Sequence, residues 1–351
     1  MTVEHNQIDV SNKRTVYFDI LNVVACFGVV SMHFNGLVHS YSMTAEWRQA
    51  LVVDCVFYWA VPIFFMLTGA TLMGYREKYS TEVFFKKRLG KTLIPFLAWS
   101  LIALVWKTNT EQITPPVGPR PLFNMVFNTQ IIDIYWFFIP LFGIYLCMPL
   151  LSLLAENKRT LAYGVTLAFL LNILGPNLSQ SLGIAWNGYM SLSVLSGFLI
   201  YVAMGWLLKD WSPSLLQRGG IYILGIAGVL VRYFGTIIAS DKAGQLINAT
   251  WEYLNVPCFL ESLAVFVLAK SIKWDGLLRS RGATNVLAKI SSCSFGVYLI
   301  HMFVFWCGLK ITGLDGASLL WRGAGPVVAY FLCLCITFIG KQIPYIKRLF
   351  P

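Results

Sequence analysis

Charge is scarce in this 351-residue sequence: 12% of its residues are Asp, Glu, Lys or Arg, against 57% hydrophobic. A soluble globular chain carries about 25% charged residues, so a water-soluble fold is excluded. Intrinsic disorder, which needs much charge and little hydrophobicity, is excluded as well. No low-complexity tract is present, and no stretch longer than about 25 residues lacks an apolar segment, so no separate soluble domain fits. The chain is expected to form one unit over residues 1–351. The eight cysteines lie in or beside apolar runs, without the paired polar spacing of a zinc knuckle or a disulfide scaffold, and are small core hydrophobes by this pattern. Serine nucleophile elbows and glycine-rich phosphate loops are missing. No two histidines stand at i, i+3 or i, i+4 within a span, so no metal site is expected. A cleavable signal is not expected: residues 1–15 are polar and the apolar run after them is too long for a signal core.

What is there is a series of apolar runs of bilayer length, about 17–25 residues each. They lie near 16–39, 49–75, 89–107, 131–155, 160–175, 191–208, 219–239, 250–270, 291–309 and 323–340. Backbone groups in lipid need internal partners, so these runs predict helices, and the fold class is all-α and polytopic with about ten spans. Twenty of the 27 lysines and arginines fall on one alternating set of loops. By the positive-inside rule both termini are then cytoplasmic, in a multi-pass protein of the cytoplasmic (inner) membrane. The net charge of +11 is thereby a topology signal, and no nucleic-acid partner is implied.

Polar residues inside these runs need a partner or a task. The first run carries Asp19, Asn22 and His33. Asp19 and His33 are fourteen residues apart, about 40° on the helical wheel and ~21 Å along the axis. Asn22 is eleven residues before His33 and about 20° from it, so the three form one polar track. His33 and His301 are the two histidines within the bilayer, and imidazole is the side chain best suited to take a proton from a hydroxyl near neutral pH. His301 is the weaker of the two, since helix-to-helix hydrogen bonding accounts for it equally well. Asp54, Asp133, Arg232 and Glu261 also fall in spans, and Arg232 with one of the acids would make a buried pair, which the sequence alone does not assign. Lys86, Lys87, Arg88 and Lys91 begin the third span at its expected cytoplasmic end, a patch suited either to phosphate or to lipid headgroups.

These pieces, in this order, resemble the acyltransferase-3 family, integral membrane enzymes that acylate sugars on bacterial surface glycans. Asp19 to Asn22 followed by Val29 to His33 looks like that family's opening motif, which ends in its essential histidine. Val61 to Gly69 is similar to its second-span signature, and Phe85 to Pro95 to the basic stretch that follows. Tyr135 to Phe138 with Met148 to Leu151 matches the fourth span, and Ser294 to His301 the ninth. One position departs: the family usually carries an arginine eleven residues before the histidine, where this chain has Asn22. The missing charge would have to come from elsewhere, with Arg232 and Arg88 as candidates.

The resemblance implies a membrane-bound O-acyltransferase. It would move an acetyl or other short acyl group from acyl-CoA, a donor substrate and not a tightly held cofactor, to a hydroxyl of a cell-surface polysaccharide or lipid-linked sugar. His33 would be the base, with Asp19 or Asn22 orienting the helix face. Lys86, Lys87, Arg88 and Lys91 would hold the coenzyme phosphates, and Tyr135, Trp136, Arg232, Glu261, Tyr298 and His301 would face substrate. With His33 in the outer half, either the pantetheine arm threads inward or the acyl group is relayed. Membrane lipids are the surrounding partner, and association as a homo-oligomer is left open. The competing readings are a transporter or flippase of a glycan or lipid-linked intermediate, in which the polar track lines a path, and a non-catalytic scaffold or sensor.

Overall fold

The computed structural model describes residues 14–278 and 280–351. The expected cytoplasmic tail with His5 and Lys13, and the loop residue Arg279, lie outside the described residues. Fourteen α-helices and no strand occur among the described residues: α1 (Val16–His33), α2 (Ala45–Phe57), α3 (Ala60–Leu72), α4 (Thr81–Asn109), α5 (Pro119–Phe127), α6 (Phe138–Leu154), α7 (Lys158–Phe169), α8 (Gly175–Ser181), α9 (Leu199–Asp210), α10 (Leu215–Ala243), α11 (Val256–Ser271), α12 (Trp274–Leu277), α13 (Arg281–Thr312) and α14 (Leu319–Gln342). Polar residues mark where the long ones begin. Ser80, Ser280 and Ser318 accept backbone N–H groups at the starts of α4, α13 and α14. Ser214 and Gln217 form a capping box at the start of α10. Gly244 and Gly313, in left-handed conformation, end α10 and α13.

Eight segments are long and apolar enough to cross a membrane, among them the pair α2–α3 taken together. The apolar run 49–75 is one span in the sequence but two helices in the structure. Pro62 has no N–H to give the carbonyl of Tyr58, and the ladder breaks at Tyr58 and Trp59, ahead of the proline. The runs 191–208 and 250–270 appear as the shorter helices α9 and α11, of 12 and 16 residues, each entered by non-helical chain. Irregular backbone at membrane depth is tolerated only where protein covers it. α9 is accordingly buried without interruption from Ile200 to Gly205, and Leu195 and Asn255 on the entry segments are buried as well.

α1 is central, packed on α13, α3 and α14, with α11 behind. α4 and α10 turn many apolar residues outward, Leu97, Leu101 and Val105 on α4 and Ile223, Ile226 and Val231 on α10, as lipid-facing helices do. Polar contacts tie the helix ends together in two sets. At one end Lys158 at the start of α7 reaches Asp210 at the end of α9 at 2.7 Å, and Lys270 of α11 donates to the Leu208 carbonyl at 2.8 Å. Lys341 of α14 donates to the Ser292 carbonyl near the start of α13. At the other end Tyr41 and Arg48, flanking the start of α2, meet Asp241 of α10 at 2.9 and 3.4 Å.

Candidate active site

His33 is the last residue of α1, and His301 lies about two-thirds of the way along α13, the helix packed beside it. Nδ1 of His33 is 2.9 Å from Nε2 of His301. The ring planes are within 22° of each other and the centroids 5.0 Å apart. That separation exceeds the N···N distance by about two ring radii, so the imidazoles meet edge to edge in a hydrogen bond. His301 is fully buried and its Nδ1 is 2.7 Å from the backbone carbonyl of Tyr298. His33 is only partly buried, because its other edge borders a cavity of about 150 Å³.

That cavity is lined by Asn22, His33, Phe64, Trp136, Tyr253 and Tyr298, among others. Two reciprocal hydrogen bonds set its wall: Tyr135 donates its hydroxyl to the carbonyl of Leu299 at 2.6 Å, and Tyr298 donates to the carbonyl of Ile134. They clamp the 3₁₀ turn Asp133–Phe137 to α13. The clamp leaves Trp136 facing the cavity, where its ring stacks on Tyr253 at 5.5 Å, and Tyr253 in turn stacks on Tyr58 at 4.5 Å.

A second cavity, of about 390 Å³, lies toward the lysine-rich end and is lined by Asp19, Asn22, Thr68, Arg88, Lys91 and Tyr145, among others. The two cavities share Asn22, Phe64, Phe137, Ser291 and Phe295, so they are neighbours, with these residues forming a neck between them. At this neck both amide hydrogens of Asn22 go to Ser291, one to its carbonyl at 2.8 Å and one to its hydroxyl at 2.9 Å. Its Oδ1 has no hydrogen-bond partner among the described residues. Arg88 and Lys91, three apart on one face of α4, are the two basic-turn residues that line the second cavity. Lys86 is exposed, and Lys87 rests its ammonium over the Tyr79 ring at 4.2 Å. Asp19 is held by a two-pronged contact from Arg14 at 2.6 and 2.7 Å and touches neither histidine.

The remaining sequence candidates sit elsewhere. Tyr135, 1% exposed, spends its hydroxyl on the Leu299 carbonyl and does not line either cavity. Arg232 of α10 is wholly buried: it donates to Asp54 at 3.0 Å and to the Thr250 carbonyl at 3.0 Å, and lies 3.3 Å over the Tyr58 ring. It therefore staples the non-helical entry to α11, and the charge missing at position 22 does not come from it. Glu261, 2% exposed, has no hydrogen-bond partner among the described residues and lines neither cavity. The lining residues that sequence reasoning did not assign a role include Ser291, Tyr253, Phe64 and Phe295. The last two fall inside the second-span and ninth-span motifs, whereas Tyr253 and Ser291 have no local signal. Among the described residues no three His, Cys, Asp or Glu side chains gather where a metal ion would be held.

Eight segments of membrane length, packed around a cavity that a histidine borders, are those of a multi-pass membrane protein. The family model for the acyltransferase domain of the acyltransferase-3 family matches residues 15–345, and the chain belongs to that family. Neither a comparison with curated proteins nor one with solved structures gives a match.

Proposed function

We propose that the protein transfers a short acyl group, acetyl by default, from acyl-CoA to a hydroxyl of a cell-surface polysaccharide or lipid-linked sugar, in the cytoplasmic membrane. The observation that carries this reading is the adjacency of the two cavities: one has Arg88 and Lys91 at its wall, the other His33, and five residues belong to both. Arg88 and Lys91 suit the coenzyme's phosphates, since charge-assisted contacts to phosphate are the strong ones. From Asn22 to His33 the rise of α1 is about 16 Å. A pantetheine arm is equivalent to about four residues of extended chain, ~14 Å, so an arm entering past Asn22 would span most of that rise and leave the acceptor hydroxyl between its thioester and His33. The free Oδ1 of Asn22 is placed to accept from an amide N–H of that arm.

In the reaction His33 takes the proton of the acceptor hydroxyl as its oxygen attacks the thioester carbonyl. The new C–O bond forms, the C–S bond breaks, and the sulfur leaves with the proton returned by His33. The products are the ester and free coenzyme A. Positioning of two reactants in a closed cavity supplies much of the acceleration, and the base contributes ~10²–10⁴-fold.

His33→Gln keeps a hydrogen-bonding side chain and removes the basicity. Purified variant protein should bind coenzyme A as the wild type does and transfer the acyl group ~10²–10⁴-fold more slowly. Near-normal transfer by this variant would remove His33 from the chemistry.

A further inference from the structure

We propose that His301 is a positioning residue that holds His33 in its Nδ1–H tautomer, so that Nε2 is the atom that takes the acceptor's proton. This rests on the assignment of His33 as the base and goes beyond it by naming the nitrogen and the group that selects it.

The argument is a chain of donors and acceptors with one fixed end. The carbonyl of Tyr298 can only accept, and it lies 2.7 Å from Nδ1 of His301. Nδ1 of His301 therefore carries the proton, and in a neutral ring its Nε2 carries the lone pair. That lone pair faces Nδ1 of His33 at 2.9 Å. Nδ1 of His33 must donate, which leaves Nε2 of His33 without a proton. No described residue hydrogen-bonds that nitrogen, and the side chain lines the cavity where the two substrates would meet.

Two consequences separate this from simple helix-to-helix adhesion. A free imidazole prefers the opposite tautomer, with the proton on Nε2, and in that form His33 would present a donor to the incoming hydroxyl and could not act as its base. His301 reverses the preference at the atom that matters, by the rule that the hydrogen bond at one ring nitrogen sets the state of the other. When His33 becomes an imidazolium during transfer, the same contact turns into a charge-assisted hydrogen bond, stronger than the neutral one. The site thus has an orienting group of the kind a carboxylate supplies in serine hydrolases, here a neutral ring anchored on a backbone carbonyl. Full burial of His301 with an in-plane contact to His33 suits that task.

The test uses full-length protein in detergent or nanodiscs and three variants. His301→Leu fills the space without an acceptor, His301→Gln offers Oε1 to the His33 Nδ1–H, and His33→Gln monitors the base itself. Nitrogen-15 spectra of histidine-labelled protein should show His33 with a pyrrole-type Nδ1 and a pyridine-type Nε2. The His33 signal should revert to the Nε2–H form in His301→Leu. Acetyl transfer from acetyl coenzyme A should fall about 10²-fold in His301→Leu and recover at least tenfold in His301→Gln, with coenzyme A affinity unchanged in both. An Nε2–H tautomer at His33 in the wild type overturns the proposal, and that spectrum needs no variant to fold. So does a His301→Gln protein no more active than His301→Leu, or a fully active His301→Leu. In each of those cases an inactive His33→Gln keeps the base reading intact, whereas an active His33→Gln removes that reading on its own.

Discussion

Gly69 of α3 and Gly205 of α9 lie on the two sides of one helix crossing, and each occupies the place where the other helix needs room. A Cβ on Gly69 would overlap the backbone carbonyl of Val202, and one on Gly205 that of Met66. Close backbone approach through small residues is how helices associate in lipid, where burial of apolar surface between them gains nothing over the lipid itself. It also explains how α9, 12 residues long, is held. Backbone cannot yield as a side chain end does, so Gly69→Ala or Gly205→Ala should destabilise by about 1–3 kcal/mol or more. Thermal unfolding in detergent would show it. Gly143→Ala on α6, where nothing stands within 4 Å of the added methyl, should leave the melting temperature in place.

Breaking the Asp54–Arg232 pair should cost more than removing it. Arg232→Met leaves Asp54 buried without its partner, at a cost of about 3–5 kcal/mol. The double variant Asp54→Leu, Arg232→Met should regain much of that stability. If Arg232 contacted substrate, the double variant would instead be stable and inactive, so melting curves and transfer rates measured together distinguish the roles.

On the donor side, Arg88→Ala and Lys91→Ala should each weaken coenzyme A binding, by about 1.5–3 kcal/mol for every charge-assisted hydrogen bond to phosphate that the truncation removes. Lys86→Ala and Lys87→Ala should change it little, because neither side chain lines the cavity. Titration calorimetry on the four variants would return Arg88 and Lys91 to a purely topological role if all four behaved alike.

Tyr135→Phe and Tyr298→Phe each leave one buried carbonyl, of Leu299 or of Ile134, without its donor. Each should lower stability by about 1–3 kcal/mol. Tyr298→Phe should also slow transfer more than Tyr135→Phe does, because Tyr298 lines the cavity and Tyr135 does not. Equal rates in the two variants would show that the clamp acts only through stability.

The spans were legible because hydropathy is a local property, and the eight long segments coincide with runs visible in the sequence. Where local pattern misled, a long-range contact was the cause. The runs 191–208 and 250–270 read as spans in the sequence, yet each begins in turns and other non-helical chain, and at the second Arg232 holds the Thr250 carbonyl. Pro62 splits the second run, a break that a hydropathy window averages away. On the site, the helical wheel of α1 put Asn22 and His33 on one face, and both line one cavity. The partner of His33 is 268 residues away, and that of Arg232 is 178. Histidine and acid content announced that such partners were needed, but which of Asp54, Asp133 and Glu261 would meet Arg232 depends on helix neighbours that periodicity does not encode.

The neck between the two cavities sets a condition on the cell as well as on the reaction. In the proposed reaction a coenzyme arm occupies one cavity and a sugar the other, and a bundle with a water-filled route joining two such cavities would, when empty, leak protons and ions. Three of the five residues shared at the neck are phenylalanines, Phe64, Phe137 and Phe295, and the two polar ones, Asn22 and Ser291, are bonded to each other. Hydrophobic constrictions of this kind stop conduction by excluding water. A neck so lined would let the protein sit idle in an energised membrane without discharging it, and small polar residues in place of those rings would admit water between the cavities.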